Sequence, residues 1–284
     1  MMNRGPQNRG FMVCQDCGAA MPGDMPNVLD SVKRPYVSRF ARGKCRHSSY
    51  LNVNLGYDFV TDMLVLEFGI DEDIIDVRRN ANPWLNRAAQ SLAEALRLAA
   101  SEYLDVEFTE LVTGYRLRTG VNGAFVDIYL YDSLSSGAGY AVSIADDVNI
   151  ILDKVRTLLT ACKCNDACHN CLKHYRNQYV HGSLDRFAAL DLLDWGVSGT
   201  VRKDFSLSQQ KKMIHPLHNI LGLSGFNIIY DDNNMYVNNG RKNKKLVIYP
   251  AMCVEPKEKG KLFISDGYIK YAKPYAVQKI IDEL

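Results

Sequence analysis

Residues 162–186 read C-K-C-N-D-A-C-H-N-C-L-K-H-Y-R-N-Q-Y-V-H-G-S-L-D-R, with cysteines at 162, 164, 168 and 171. A C-x-C followed by a C-x-x-C lets the chain turn tightly around one ion. Four thiolates at about 2.3 Å from a tetrahedral metal make a closed structural zinc site with no position left for water. Lys163, Lys173 and Arg176 lie nearby in sequence and are expected to favour the thiolate form that binds metal. Two disulfides are the alternative in an oxidising compartment, but nothing marks the chain as secreted. An iron–sulfur cluster also takes four cysteines and is the next reading, although the Cys-Pro that often follows such sites is missing. A redox C-x-x-C wants one cysteine pair on a thioredoxin-like strand and helix, not four in a loop.

A second half-site begins at Cys14-Gln-Asp-Cys17-Gly18, a zinc-knuckle turn whose glycine allows the backbone to return. Downstream, Gly43-Lys-Cys45-Arg-His47 supplies a C-x-H, so Cys14, Cys17, Cys45 and His47 make a Cys3His set. In the other reading His47 is a surface histidine and the fourth ligand lies elsewhere.

The chain has 284 residues, 47% hydrophobic and 23% charged, which is globular composition and suits two compact units or one domain with attachments. A net charge of +2 gives no global field arguing for nucleic acid. No run approaches the ~18 apolar residues of a membrane span. The polar N-terminus is no secretory signal and reads as a short disordered basic tail over residues 1–10. The expected compartment is the cytoplasm.

Outward from the cysteine loop, the pattern predicts an α+β fold. Strands are expected at 51–55, 63–68, 106–118 and 124–131, with Asn122-Gly123 as a hairpin turn. Asn82-Pro83 opens a helix to about 104, with Leu85, Ala88, Ala89, Leu92, Ala95, Leu96 and Ala99 as its buried stripe. A mainly antiparallel sheet from 50–131 is expected to pack on this helix and on another at 140–161. The cysteine loop then clamps the second helix to one at 184–195. Asp132, at the end of a strand, leads to Gly137 and Gly139 before the next helix. Such a turn resembles an anion site, but it lacks P-loop and dinucleotide spacing, which favours close packing. Gly196-Val-Ser-Gly-Thr reads as a boundary. Residues 206–284 form a small C-terminal α/β region: a helix kinked at Pro216, strands at 226–230, 235–237 and 246–249, and a last helix at 274–284. Lys242, Lys244 and Lys245 sit in its turns, either as a phosphate-contacting surface or as solvated charge. Cys253 is solitary, and His215 and His218 have no evident third ligand.

The run Y-D-S-L-S-S-G-A-G-Y, the C-x-C-x3-C-x-x-C loop and L-K-H-Y-R-N-Q-Y-V-H-G-S-L-D-R together resemble the MrfA-type zinc-binding (MZB) domain. That domain is found at the C-terminus of some superfamily 2 helicases and in the DrmB-like component of the DISARM anti-phage system. Upstream, C-Q-D-C-G, L-G-Y-D-F-V-T-D-M-L-V-L-E-F and S-L-A-E-A-L-R-L-A-A-S-E-Y-L-D-V extend the likeness over about residues 11–196. Chains of that kind are usually longer, with a helicase region ahead. Here there is no Walker lysine loop and no D-E-x-H box, and the sequence begins almost at the first knuckle. The resemblance therefore implies a non-catalytic zinc module, encoded separately, that serves a superfamily 2 helicase or helicase-like subunit in anti-phage defence or DNA repair. Alone it would bind DNA weakly, and it would need no membrane. Cys162, Cys164, Cys168 and Cys171 carry over as metal ligands. Arg176 is the residue beside them expected to meet DNA, with Lys242, Lys244 and Lys245.

An enzyme is the competing class. Asp231, Asp232 and Lys245 invoke a metal-dependent nuclease, but both acids lie in a turn and the strand at 246–249 has no carboxylate. A transcription regulator would need a helix-turn-helix pattern, and no convincing one is present.

Overall fold

The computed structural model describes residues 2–23, 43–47, 49–56, 58–77, 84–121, 123–202, 204–231 and 233–284. The expected helix start at Asn82-Pro83, Asn122 of the hairpin turn and Asp232 lie outside the described residues. The chain divides into a unit over Met1–Val60 and a unit over Thr61–Leu284.

In the first unit, β1 (Met2–Asn3) is eventually paired with β5 (Leu55–Gly56), so residues expected as a tail hold a short strand. Strand β2 (Phe11–Cys14) pairs antiparallel with β3 (Ala20–Pro22) and with β4 (Tyr50–Val53). Strand β4 thus belongs here, not to the sheet that packs on helices. Among the described residues the buried core is only Met12, Cys14, Ala19 and Met21. So small a core does not by itself hold a fold of this size, and a metal is the usual supplement.

In the second unit, β6 (Met63–Ile70), β7 (Leu111–Gly120) and β8 (Gly123–Asp132) form an antiparallel sheet in the order β6-β8-β7. Strand β7 starts later than expected. Asp105 takes a left-handed φ of 53° after the helix, and 107–110 make a turn closed by Glu110 N–H on the Glu107 carbonyl at 2.8 Å. Helix α1 (Trp84–Leu104) buries every residue of the predicted stripe. It also buries Ser91, Glu94 and Ser101, because it packs on the sheet and on two helices, α3 (Val148–Ala161) and α4 (Arg186–Ser198).

The helix expected at 140–161 is two helices. Helix α2 (Tyr140–Asp146) contacts the sheet, and the chain breaks at Asp147 (φ −109°, ψ 24°) before α3, which packs on α1 and α4 instead. Gly196 lies within α4, where a Cβ would come within 2.0 Å of the Phe68 ring. Gly199, with φ 64°, caps that helix.

The C-terminal residues form the sheet β12-β11-β10-β9 from β9 (Asn227–Tyr230), β10 (Met235–Asn238), β11 (Asn243–Tyr249) and β12 (Lys261–Ser265). Strands β11 and β12 run parallel, and the other pairs antiparallel. Around it lie α5 (Leu207–Ile214), α6 (His218–Leu223), α7 (Asp266–Tyr271) and α8 (Lys273–Glu283). Pro216 separates α5 from α6, as its ring requires. These elements bury their own core, including Leu217, Val237, Ile248, Ile264 and Ile280. Ala251 and Met252 leave it and insert into the core around α1, where the Met252 carbonyl accepts from Asp76 N–H at 2.8 Å. Neighbouring Cys253 bridges to Ile75, and burial pushes its thiol up to about 11. The whole is α+β with mainly antiparallel sheets.

Candidate metal centres

The loop after α3 brings the four sulfurs of Cys162, Cys164, Cys168 and Cys171 within 4.8 Å of one another. The closest separations are 3.5 Å (Cys162–Cys168), 3.7 Å (Cys164–Cys171) and 3.9 Å (Cys168–Cys171). A tetrahedron of sulfurs about 2.3 Å from one ion has edges of about 3.8 Å, so the donor set fits a single zinc. All four are free thiols, too far apart for disulfides of about 2.05 Å. A multi-iron cluster distributes its cysteines over separate irons and calls for a wider spread.

Backbone N–H groups and burial, not lysine, shift Cys162, Cys164 and Cys171. The Cys164 N–H, followed by the neighbouring thiols, draws Cys162 down to about 7. Burial pushes Cys171 up to about 12 and raises Cys164. Binding of a metal ion displaces the thiol protons.

The loop is held from two sides, by α4 and by α7. Arg186 opens α4 and is only 7% exposed. Its side chain donates to the Cys164 carbonyl at 2.9 Å and to the Leu159 carbonyl at the end of α3 at 2.8 Å. Its backbone N–H reaches the Asp166 carbonyl at 2.8 Å. This is the expected clamp between the two helices, made by one buried arginine. From α7, Lys270 donates to the Asn165 carbonyl and to Asp185, both at 3.1 Å, and pairs with Asp166, while the Tyr271 hydroxyl donates to Asp185. Asp185 also caps α4 through Phe187 N–H at 2.9 Å. A cleft of 930 Å³ opens beside this junction, where Asp191 faces Arg202 at 2.9 Å and burial still pushes that carboxyl up to about 7.

The following segment, 175–183, is short 3-10 helix. Its buried Asn177 donates to the Leu172 carbonyl at 2.8 Å and to Glu94 of α1 at 3.2 Å. His174 meets the same Glu94 at 3.2 Å, and His181 meets Asn177 Oδ1 at 2.9 Å. The polar residues flanking the cysteines are thus largely packing partners. Arg176 is exposed on this segment.

The second set, Cys14, Cys17, Cys45 and His47, also gathers its ligand atoms within 4.8 Å. Cys14 and Cys45 sulfurs are 3.6 Å apart, and Cys17 Sγ is 3.5 Å from His47 Nδ1. Tetrahedral zinc with sulfur and nitrogen ligands gives edges of about 3.6–3.8 Å. Gly18, at φ 78°, lets its N–H reach back to the Cys14 carbonyl at 2.9 Å. His47 adopts φ 49°, a region histidine tolerates better than most residues. Burial would raise Cys14, but the Cys17 backbone N–H and the His47 side chain outweigh it and bring the thiol down to about 6. For Cys45 the His47 backbone N–H lowers the thiol, yet desolvation and the Asp16 carboxylate, 3.1 Å away, push it up to about 12. Among the described residues these two sets are the groups of His, Cys, Asp or Glu that could hold a metal.

The glycine turn after β8 has its own anion. Asp132 is fully buried, and its carboxylate accepts from Ala138 N–H at 2.6 Å, Tyr140 N–H at 3.1 Å and Ala141 N–H at 2.9 Å. No amide of that turn among these three is left for a phosphate. Asp231 likewise spends its carboxylate on Asn233 and Asn234 N–H, at 2.9 and 2.6 Å. His218 donates to or accepts from the Tyr230 hydroxyl at 2.8 Å beside His215. The lysines do not share a face. Lys244 and Lys245 are consecutive on β11 and so point to opposite sides. Lys244 donates to the Glu283 carbonyl at 3.0 Å, while Lys242 is exposed. Among the described residues, no helix is long and apolar enough to cross a membrane.

Comparison with known proteins places these features. The chain is 32% identical over 270 residues to the Druantia protein DruE of Escherichia coli (strain UMEA 4076-1), an alignment covering 90% of this chain and 15% of that protein. The chain thus spans well under a quarter of this relative's length. Two crystal structures of the DUF1998 helicase MrfA are similar at low level. The one bound to DNA is 20% identical, with a TM-score of 0.37, over 53% of this chain and 20% of its own. The one bound to DNA and AMPPNP is 16% identical, with a TM-score of 0.36, over 56% and 18%. A family model described as the MrfA Zn-binding domain matches residues 92–172, from the middle of α1 to the last cysteine of the loop. The chain carries an MZB domain, a zinc-binding domain whose C-terminal end is the four-cysteine loop.

Proposed function

We propose that this chain is a non-catalytic, cytoplasmic zinc-binding subunit of a helicase-type DNA-translocating machine, acting in anti-phage defence or DNA repair. Cys162, Cys164, Cys168 and Cys171 hold one zinc, and Cys14, Cys17, Cys45 and His47 hold a second. The observation that carries this reading is the MZB match ending in a four-sulfur set. Four protein ligands close the coordination sphere, so the metal organises structure and leaves no place for a reacting water. The 32% identity to part of a Druantia protein supports the anti-phage setting.

The test is a pull-down of tagged protein from its native host. The expected result is a superfamily 2 helicase or helicase-like subunit, with the lone chain neither hydrolysing ATP nor cutting DNA. Alone, the chain should bind DNA weakly, on the order of 10⁻⁴–10⁻⁶ M, with strong salt dependence. In the complex, Lys242→Glu with Lys245→Glu should weaken binding to all sequences alike, because phosphate contacts position without reading bases. Lys244 is left intact, since it ties the end of α8. Recovery of no helicase, together with nanomolar sequence-specific binding by the lone chain, would replace this reading with an independent regulator.

A further inference from the structure

Tyr175 and Tyr179 are 83% and 81% exposed, although they lie beside one of the most tightly fastened parts of the chain. Between them, Asn177 is 1% exposed and tied to Leu172, Glu94, His174 and His181. At the end of the segment, Arg87 donates to the Gly182 carbonyl at 2.7 Å. The backbone is therefore fixed from both ends and the middle, while two aromatic rings are left in water. Large rings usually bury most of their surface, so two held out on a rigid segment call for an external partner.

The charge within the segment is of one sign. Residues 172–184 contain no Asp or Glu, and they contain Lys173 and Arg176. Arg176 is exposed and makes no ion pair among the described residues. Arg97, stacked over Phe108 at 3.7 Å, lies near enough to interact electrostatically with both Arg176 and Tyr179. The one nearby acid of α1, Glu94, is buried and occupied by His174 and Asn177.

We propose that Tyr175, Arg176 and Tyr179 form a stacking platform for single-stranded DNA. The proposal rests on the DNA-translocating role above and names the form of DNA that this face takes. A single strand offers what the face lacks: flat base faces for the tyrosines and phosphates for Arg176 and Lys173. Stacking of this kind is tolerant of sequence, because every base has a π-face. A duplex hides those faces within its own stack, so it engages the cations alone.

The test uses the full-length, zinc-loaded chain at low salt, with fluorescence anisotropy of labelled oligothymidylate and of a labelled duplex of equal length. Tyr175→Ala and Tyr179→Ala should each weaken single-strand binding about ten-fold while leaving duplex binding unchanged. Tyr175→Phe and Tyr179→Phe, which keep the ring, should bind like the wild type. Arg176→Ala should reduce the slope of log affinity against log salt by about 0.7 on the single strand. Zinc content and melting temperature serve as controls and should not move, since the replaced rings are exposed. Wild-type single-strand binding by the alanine variants would overturn the proposal, as would equal losses on single strand and duplex. Variants that lose only a protein subunit, with DNA binding intact, would make the face a protein interface and overturn it too. The reading of the whole chain fails separately, in the pull-down, and that failure leaves the anisotropy result interpretable.

Discussion

Replacing Cys168 or Cys171 with serine should remove one equivalent of zinc and leave most of the protein insoluble. Zinc supplies ~10–16 kcal/mol of apparent binding energy in small zinc peptides. A whole domain is stable by only ~5–15 kcal/mol, so the loss of one site is comparable to the total. The damage should spread, because the loop is a joint. The Cys164 and Leu159 carbonyls receive Arg186 of α4, and the Asn165 carbonyl receives Lys270 of α7. Where a variant precipitates, chelator titration of the wild-type chain asks the same question and should show unfolding that follows zinc release. A serine variant with full zinc content and the wild-type melting temperature would contradict the assignment.

Asp132→Ala should destabilise the zinc-loaded protein by roughly 3 kcal/mol or more, without changing its zinc content. The substitution leaves three backbone N–H groups without their carboxylate, each costing ~1–3 kcal/mol when buried and unpaired. Its partners are Ala138 in the turn and Tyr140 and Ala141 at the start of α2, which lies on the β6–β8 side of the sheet. For a unit of this size each kcal/mol lowers the melting temperature by about 2–4 °C, so calorimetry should register a fall of roughly 6 °C or more. Asp132→Asn keeps one acceptor oxygen and should fall in between. If Asp132→Ala melts with the wild type, the turn amides have another partner.

Features carried by local spacing were legible in the sequence. The four-cysteine loop was, because ligand spacing in a short turn fixes which atoms can meet; each half of the second set was too, although Cys14 and Cys45 meet across 31 residues that no local spacing fixes. So was the buried stripe of α1, since a 3.6-residue period survives whatever packs on it. Elements whose identity depends on distant partners were not. Strand β4 has the same alternation whether it joins β2 or the larger sheet. Strand β12 is five residues, and α7 is six; each is decided by packing on β11 and on the zinc loop. Ser265 as an N-cap, accepting from Tyr268 N–H at 3.2 Å, was the available cue for α7. The supporting charges were the least visible. Lys270 lies 105 residues from Asn165 and 85 from Asp185, and Glu94 lies 80 from His174. Nothing in the sequence near Asp132 announced that it would fill the glycine turn itself, although a carboxylate just before such a turn is the arrangement to look for.

Metal content and coordination measured on the natively purified chain bear most directly on zinc as the organising centre. Elemental analysis should find about two equivalents of zinc per chain and no iron. X-ray absorption should show a first shell of sulfur at about 2.3 Å, with a minor nitrogen contribution from His47. Iron in place of zinc, or a metal-free protein that melts cooperatively at the same temperature with and without chelator, would contradict it.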